Sequence, residues 1–151
     1  MITMGFRAAP RCVTFAIYDS ADEAIVNIED IHVPAAFAWP EALKFVRNSI
    51  LDVLREFGVE QAGVRTTEPI AKSPSIERMQ IEGVIQEAFA SSSLQKYFAG
   101  PINVGAAVLR VEKAALKPMI AGRNDMDIEG WDRMSEARRE AVLYAMGAAN
   151  A

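Results

Sequence analysis

The chain has 151 residues, and 16 lysine and arginine residues against 20 aspartate and glutamate residues give it a formal charge of −4 at pH 7. Hydrophobic residues make up 51% of the chain, and Cys12 is the single cysteine, which excludes a disulfide framework and a cysteine-rich metal site. No apolar run approaches the ~20 residues that span a bilayer. We therefore expect a cytoplasmic globular protein with no membrane contact.

The first 33 residues predict an antiparallel meander behind a short extension. Residues 1–10 are interpreted as a flexible N-terminal extension, and residues 11–151 as a single domain. Cys12–Tyr18 is rich in β-branched and aromatic residues, which favour a strand, and Ala24–Ile28 follows it after a turn. Ile31–Val33 is expected to add a short third strand that ends at Pro34.

The pattern then changes to a helical period. The range Pro40–Phe57 places its apolar residues on one face of a helix, with proline in the first turn and Gly58 at the end. Val59–Arg65 is predicted as the next strand. A second helix is expected to begin with Ser73 as its cap and Pro74 at its first position.

The last third of the chain predicts one more strand between helices. The nearly continuous apolar run Ile102–Leu109 is typical of a strand buried on both faces, and Val111–Ile120 of a short helix weakened by Pro118. The last helix is expected over Met134–Ala148. It carries a stripe of small residues that allows close contact with a sheet: Ala137, Ala141, Ala145 and Ala148.

These elements together predict a five-stranded mixed α/β sheet, with three antiparallel strands followed by two parallel strands and helices on its faces. The segments FAIYDSADEAIV, VRTTEPIAKSPSIERMQIEGVIQEAF and EARREAVLYAMGAA stand in the corresponding places of one known fold. In this order the chain resembles the ribonuclease H-like superfamily. It is most similar to the Holliday-junction-resolvase branch and to a group of bacterial domains that share the same core, over roughly Arg11 to Ala148.

The resemblance implies a nuclease site. Active members of the superfamily hold two divalent metals with carboxylates from the first strand, the end of the fourth strand and the last helix. Such metals activate a water molecule and stabilise the leaving oxygen of a phosphodiester. In this sequence the resemblance assigns catalysis and Mg²⁺ or Mn²⁺ binding to Asp19, Glu68 and Glu140.

Only one of these carboxylates is in register with the family pattern. Tyr18 aligns with the acid of the first strand, and Asp19 comes one residue later, which points it to the other face of the strand. Glu68 lies beyond the end of the fourth strand, while Glu140 is in register and Ala137 replaces its usual acidic partner. The sequence therefore favours a non-catalytic member that binds a protein, nucleic acid or its own copy. The alternatives are a metal-dependent junction endonuclease and a structural homodimer.

A second set of residues indicates a ligand site. Arg65, Lys72 and Glu82 belong to the segment around the end of the fourth strand, and ligands of open α/β sheets bind at that edge. The two cations would contact phosphates of a nucleic acid, although the acidic net charge argues against binding along any sequence. Phe37 and Trp39 would either form an exposed homodimer contact or pack under the first helix.

An acidic stretch near the C-terminus resembles the pattern of a calcium-binding loop. Residues Asp125 to Glu136 place acids at positions 1, 3, 5 and 12 and glycine at position 6 of the calcium-loop pattern. Asp132 stands at position 8, where an apolar residue is expected. The alternative to calcium binding is an acidic, solvated loop that leads into the last helix.

Overall fold

A five-stranded mixed sheet forms the centre of the structure, a computed structural model that describes all 151 residues. The sheet order is β3-β2-β1-β4-β5. Strands β1, β2 and β3 pair antiparallel, and β1, β4 and β5 pair parallel, which confirms the predicted mixed topology. The strands are β1 (Ile2–Ala9), β2 (Cys12–Asp19), β3 (Ala24–His32), β4 (Gln61–Arg65) and β5 (Lys96–Gly100).

The central strand is the segment that the sequence analysis treated as an extension. Ile2–Ala9 forms β1, which is buried and pairs with β2 on one side and β4 on the other. Pro10 and Arg11 form the turn between β1 and β2, and Arg11 has a φ of 76°, the left-handed conformation that the second of the two central residues of a type II turn requires. The prediction of a flexible extension over residues 1–10 was wrong.

The other predicted strands consequently move one place along the meander. Cys12–Tyr18 lies in the second strand, β2, and the two predicted strands Ala24–Ile28 and Ile31–Val33 are one continuous strand, β3. A register irregularity at Ile17 and Tyr18 divides the pairing of β2 with β3. The predicted count of three antiparallel strands is right, but its segments are different.

Five helices cover the two faces of the sheet. They are α1 (Trp39–Glu56), α2 (Ile76–Ala90), α3 (Ile102–Leu109), α4 (Lys113–Ile120) and α5 (Glu136–Ala148), with a 3₁₀ turn at Trp131–Arg133. Pro40 lies in the first turn of α1 as predicted. The cap of α2 is Ser75, whose hydroxyl accepts a hydrogen bond from the Arg78 amide, so α2 begins later than the expected Ser73. No helix is long and apolar enough to cross a membrane.

The apolar run Ile102–Leu109 is a helix, and the fifth strand precedes it. Pro101 caps α3, and Gly105 and Ala106 are buried in it. The strand β5, Lys96–Gly100, pairs with β4 alone, so it lies at the edge of the sheet with mostly exposed side chains. A short buried helix and a buried strand share the same apolar pattern, which is why the sequence analysis placed the strand wrongly.

Two hydrophobic clusters lie on opposite faces of the sheet. One joins α1 and α2 to the strands, and Phe37 and Trp39 pack against it. Trp39 also donates a hydrogen bond to Gln80 of α2, which confirms the packing interpretation of this tryptophan. The other cluster joins α3, α4 and α5 around the buried Trp131.

Helix α5 lies against β1 at a distance that only a small residue permits. Thr3, Gly5 and Arg7 alternate with the buried Met4, Phe6 and Ala8, and they face α5. The Thr3 hydroxyl donates a hydrogen bond to the Ala145 carbonyl (2.6 Å). A Cβ atom at Gly5 would overlap the backbone of Ala141 and Ala145. The predicted alanine stripe therefore serves the close contact expected of it.

The close contact predicts a large loss of stability in Gly5→Ala. The added methyl group meets backbone atoms that cannot rotate away, so we expect the free energy of unfolding in urea to fall by about 3 kcal/mol or more. Gly83→Ala is the matched control, because its Cβ atom meets nothing within 4 Å on a helix surface. That variant should gain about 0.5–1 kcal/mol. Equal stability of Gly5→Ala and the wild type would contradict the contact.

Candidate functional site

The carboxyl ends of β1 and β4 carry two arginines in register. Thr3, Gly5 and Arg7 of β1 pair with Gln61, Gly63 and Arg65 of β4. Since residues directly paired in a parallel sheet point to the same face, Arg7 and Arg65 both face α5. Ligands of open α/β sheets bind at this carboxyl edge.

Glu140 of α5 lies between the two arginines. The Arg7 Nε donates to Glu140 Oε2 at 2.5 Å, and the Arg65 Nε lies 3.8 Å from the same oxygen. Glu140 and Arg65 are each 6% exposed. The two guanidinium groups also donate to the carbonyls of Ala8 and Thr66. A buried carboxylate is thus neutralised by two buried or half-buried cations.

Two further glutamates complete the group. Glu68 Oε1 lies 3.3 Å from Arg65 Nη2, and it accepts a hydrogen bond from the Ile102 amide at the beginning of α3. Glu82 of α2 is buried and binds Arg78 at 3.0 Å. It also accepts hydrogen bonds from the amide and hydroxyl of Thr67 (2.8–3.1 Å). We call the six charged residues the arginine–glutamate cluster: Arg7, Arg65, Arg78, Glu68, Glu82 and Glu140.

The cluster balances three positive against three negative charges in a largely buried place. Burial lowers the pKa of Arg78, and the positive charges of Arg7 and Arg65 lower it further, against the opposing effect of Glu82 and Glu140. The Arg65 Nε and one terminal nitrogen of Arg78 have no hydrogen-bond partner. Three guanidinium groups this close together would repel one another. The three glutamates offset that repulsion and so hold the arginines in place.

Tyr144 supports the cluster from α5. Its hydroxyl donates to the carbonyls of Gly100 and Pro101 (2.9 and 2.8 Å), and its ring stacks on Phe98 with the centroids 5.5 Å apart. Burial raises the pKa of this tyrosine well above its ordinary value. The hydroxyl therefore stays protonated and ties α5 to the end of β5.

The predicted metal triad is not brought together. Asp19 pairs with Ile2 at the opposite end of β1, where it lies 3.7 Å from the N-terminal amine. Five residues of strand, about 17 Å, separate that end from Arg7. Glu68 and Glu140 do lie near each other, but Arg65 contacts both. Asp19 does not stand where the resemblance places the acid of the first strand, because its own strand is the second in the chain.

The donor set does not fit Mg²⁺ or Mn²⁺. No three histidine, cysteine, aspartate or glutamate side chains converge anywhere in the chain. The first strand, the end of the fourth strand and the last helix supply Arg7, Arg65 and Glu140, so one hard oxygen ligand stands beside two cationic groups. The calcium-loop pattern does not assemble either, since Asp125 forms an ion pair with Arg123 at 2.7 Å.

The predicted ligand residues divide into two groups. Arg65 and Glu82 belong to the cluster, where the ion-pair partner of Glu82 is Arg78. Lys72 is exposed in the loop after β4 and forms no ion pair. Arg7 was missed, although Thr3, Gly5 and Arg7 alternate with apolar residues, a strand signal that Gly5 weakens but does not remove.

A cleft of about 600 Å³ opens beside the cluster, between the loop after β4 and helices α3 and α4. Lys113 and Lys117 line it, together with Glu112 and with Glu68, whose carboxylate is occupied by Arg65. Neither lysine forms an ion pair, and both are exposed. The cleft therefore presents two free cations, Lys113 and Lys117, beside one free carboxylate, Glu112, and Lys72 lies nearby in sequence, in the loop after β4.

Solved structures of Holliday junction resolvases share this fold. RuvC of Thermus thermophilus matches with a TM-score of 0.73 at 14% identity, covering 99% of this chain and 94% of that one. The same protein in complex with a Holliday junction substrate gives 0.70 at 16% identity, covering 99% and 93%. The yeast mitochondrial Holliday junction resolvase gives 0.55 at 12% identity, covering 97% and 78%.

The likeness is one of structure alone. No protein-family model and no curated protein matches the sequence. The chain has the RuvC-like ribonuclease H fold that its sequence predicted, and at these identities the match establishes the fold and not the activity.

The cluster predicts that Glu140→Gln is strongly destabilised. The neutral amide leaves Arg7 and Arg65 without their shared carboxylate, and breaking a buried pair costs about 3–5 kcal/mol in the free energy of unfolding. Glu87→Gln is the control, because it breaks an exposed ion pair with Arg47 and should change stability far less. Urea denaturation of both variants measures the difference, and equal losses would show that the Glu140 pair contributes no more than a surface pair.

Proposed function

We propose that this protein is a non-catalytic RuvC-like domain that binds branched DNA without cutting it. The observation that carries the proposal is the ion-paired arrangement of Arg7, Glu140 and Arg65. It occupies the three places from which the resemblance expects metal-binding carboxylates. A guanidinium group has no lone pair to offer a metal, and its charge repels one. Glu140 is then a partner for arginines rather than a metal ligand.

The DNA-binding half of the proposal rests on the lysine-lined cleft. Lys113 and Lys117 line the cleft beside the cluster, Lys72 lies in the loop after β4, and free lysines at such an edge suit contacts with phosphate groups. A local basic surface can bind DNA even though the whole chain is acidic. The RuvC structure solved with a Holliday junction substrate supports a four-way junction as the ligand to test.

The proposal predicts binding without cleavage. A labelled four-way junction should bind at low salt, weaken as salt rises, and stay intact with Mg²⁺ or Mn²⁺. Lys113→Gln/Lys117→Gln should bind more weakly at every sequence and lower the magnitude of the salt slope by about 2, since each lysine contacts one phosphate. Fluorescence anisotropy and a denaturing gel measure the two properties.

The matched control removes the same charge elsewhere. Lys44→Gln/Arg110→Gln changes two exposed cations outside the cleft and should bind like the wild type. Cleavage that disappears in Glu140→Ala would overturn the non-catalytic assignment. Absence of binding at low salt would overturn the DNA-binding assignment and leave the non-catalytic assignment intact.

The arginines themselves predict a difference in metal binding. Arg7→Asp/Arg65→Glu places two new carboxylates beside Glu140, so Mn²⁺ should raise the melting temperature of this variant. Mn²⁺ should leave the melting temperature of the wild type unchanged, because its guanidinium groups oppose the ion. Thermal unfolding with and without Mn²⁺ measures both. A rise in the wild type would contradict the proposal even where the variant fails to fold.

A further inference from the structure

An open apolar groove lies at the other end of the sheet. It runs between the turn that joins β2 to β3 and the loop that joins α4 to α5, with a volume of about 730 Å³. This volume is within the usual ~300–1,000 Å³ of ligand pockets. Its apolar lining consists mainly of Tyr18, Ile25, Met126, Ile128, Met134 and Met146.

The floor of the groove is adaptable. Its apolar side chains are only partly buried, and they pack on the hydrophobic cluster around Trp131. Three of them are methionines, whose unbranched side chains adopt many shapes and recur at surfaces that bind peptides. No element of the chain covers them, so they remain accessible to a partner.

The charged side chains on the rim of the groove are all negative. Glu23, Asp127 and Glu129 line it, all three are exposed, and none forms an ion pair. No lysine, arginine or histidine lines the groove. Burial raises the pKa of Tyr18, and the negative charges of Glu23 and Asp19 raise it further.

We infer that this groove binds a basic amphipathic segment of a partner protein. Apolar side chains of such a segment would fill the methionine-lined floor, as a helix fills a hydrophobic groove. Its lysines and arginines would pair with the three free carboxylates on the rim, which gives specificity and faster association. The site is independent of the proposed DNA binding. Tyr18 pairs with Thr3 at the beginning of β1, whereas Arg7 lies at the end of that strand.

The methyl groups of the methionines provide a local readout. The chain has seven methionines, of which three line the groove. The probe is a leucine–lysine amphipathic peptide of about four helical turns, with a leucine–glutamate peptide of the same pattern as its control. In ¹³C-methyl spectra the basic peptide should shift the signals of Met126, Met134 and Met146 to saturation. The signal of Met79, exposed on α2, should stay in place.

Charge reversal on the rim tests the electrostatic part. Glu23→Lys/Glu129→Lys should weaken the affinity for the basic peptide about tenfold. Glu41→Lys/Glu56→Lys makes the same change in net charge at two exposed positions of α1 and should leave the affinity unchanged. If both double variants weaken the affinity for the basic peptide equally, the loss reflects net charge alone, and the assignment to this groove is overturned.

Three other outcomes would also overturn it. If the three methionine signals move with protein concentration in the absence of peptide, the groove is covered by a second copy of the chain. If the acidic peptide or an uncharged detergent binds as well as the basic peptide, the rim contributes no selectivity. If the basic peptide shifts Met79 as strongly as the groove methionines, or shifts none of them, no specific site is present.

Discussion

The contact between β1 and α5 sets the geometry of the rest of the molecule. Gly5 has no side chain, so the backbone of α5 lies directly on the central strand, and the Thr3 hydroxyl fixes the helix there through the Ala145 carbonyl. Because side chains alternate along a strand, the residue that faces the same helix after Gly5 is Arg7. The close packing that stabilises the fold therefore also brings Arg7 against Glu140.

The arginine–glutamate cluster follows from the cost of burying charge. A carboxylate as buried as Glu140 requires a compensating cation, and the structure supplies Arg7 and Arg65 from two neighbouring strands. In a two-metal nuclease that compensation comes from the metals, which also activate water. Guanidinium groups compensate the charge but offer no site for a water nucleophile. Under the proposed function, the arginines take over the charge compensation at this sheet edge, and no metal-dependent cleavage takes place there.

The overall fold was easier to predict from the sequence than the segments that form its strands. The meander had the correct number of strands because Ala24–His32 was divided in two while Ile2–Ala9 was missed. The hairpin at Pro10 and Arg11 lacks glycine, and the β1 sequence contains Gly5, a residue that weakens a strand signal. Ile102–Leu109 replaced the true fifth strand, since an edge strand such as Lys96–Gly100 buries too little to show a pattern.

The missed first strand also limited how much of the candidate site could be predicted from the sequence. Arg65, Glu82 and Glu140 were predictable because their elements were placed correctly, whereas Arg7 was lost with its strand and Asp19 took its place. Once β1 is identified, the charges of the chain separate along it. The cluster lies at the carboxyl edge, beside a cleft that is lined by Lys113 and Lys117 and also by Glu112, and unpaired acids surround the apolar groove at the other end. A formal charge of −4 therefore describes neither surface. On the two proposals above, these surfaces would let a single small sheet bind a polyanion at one end and a basic segment at the other.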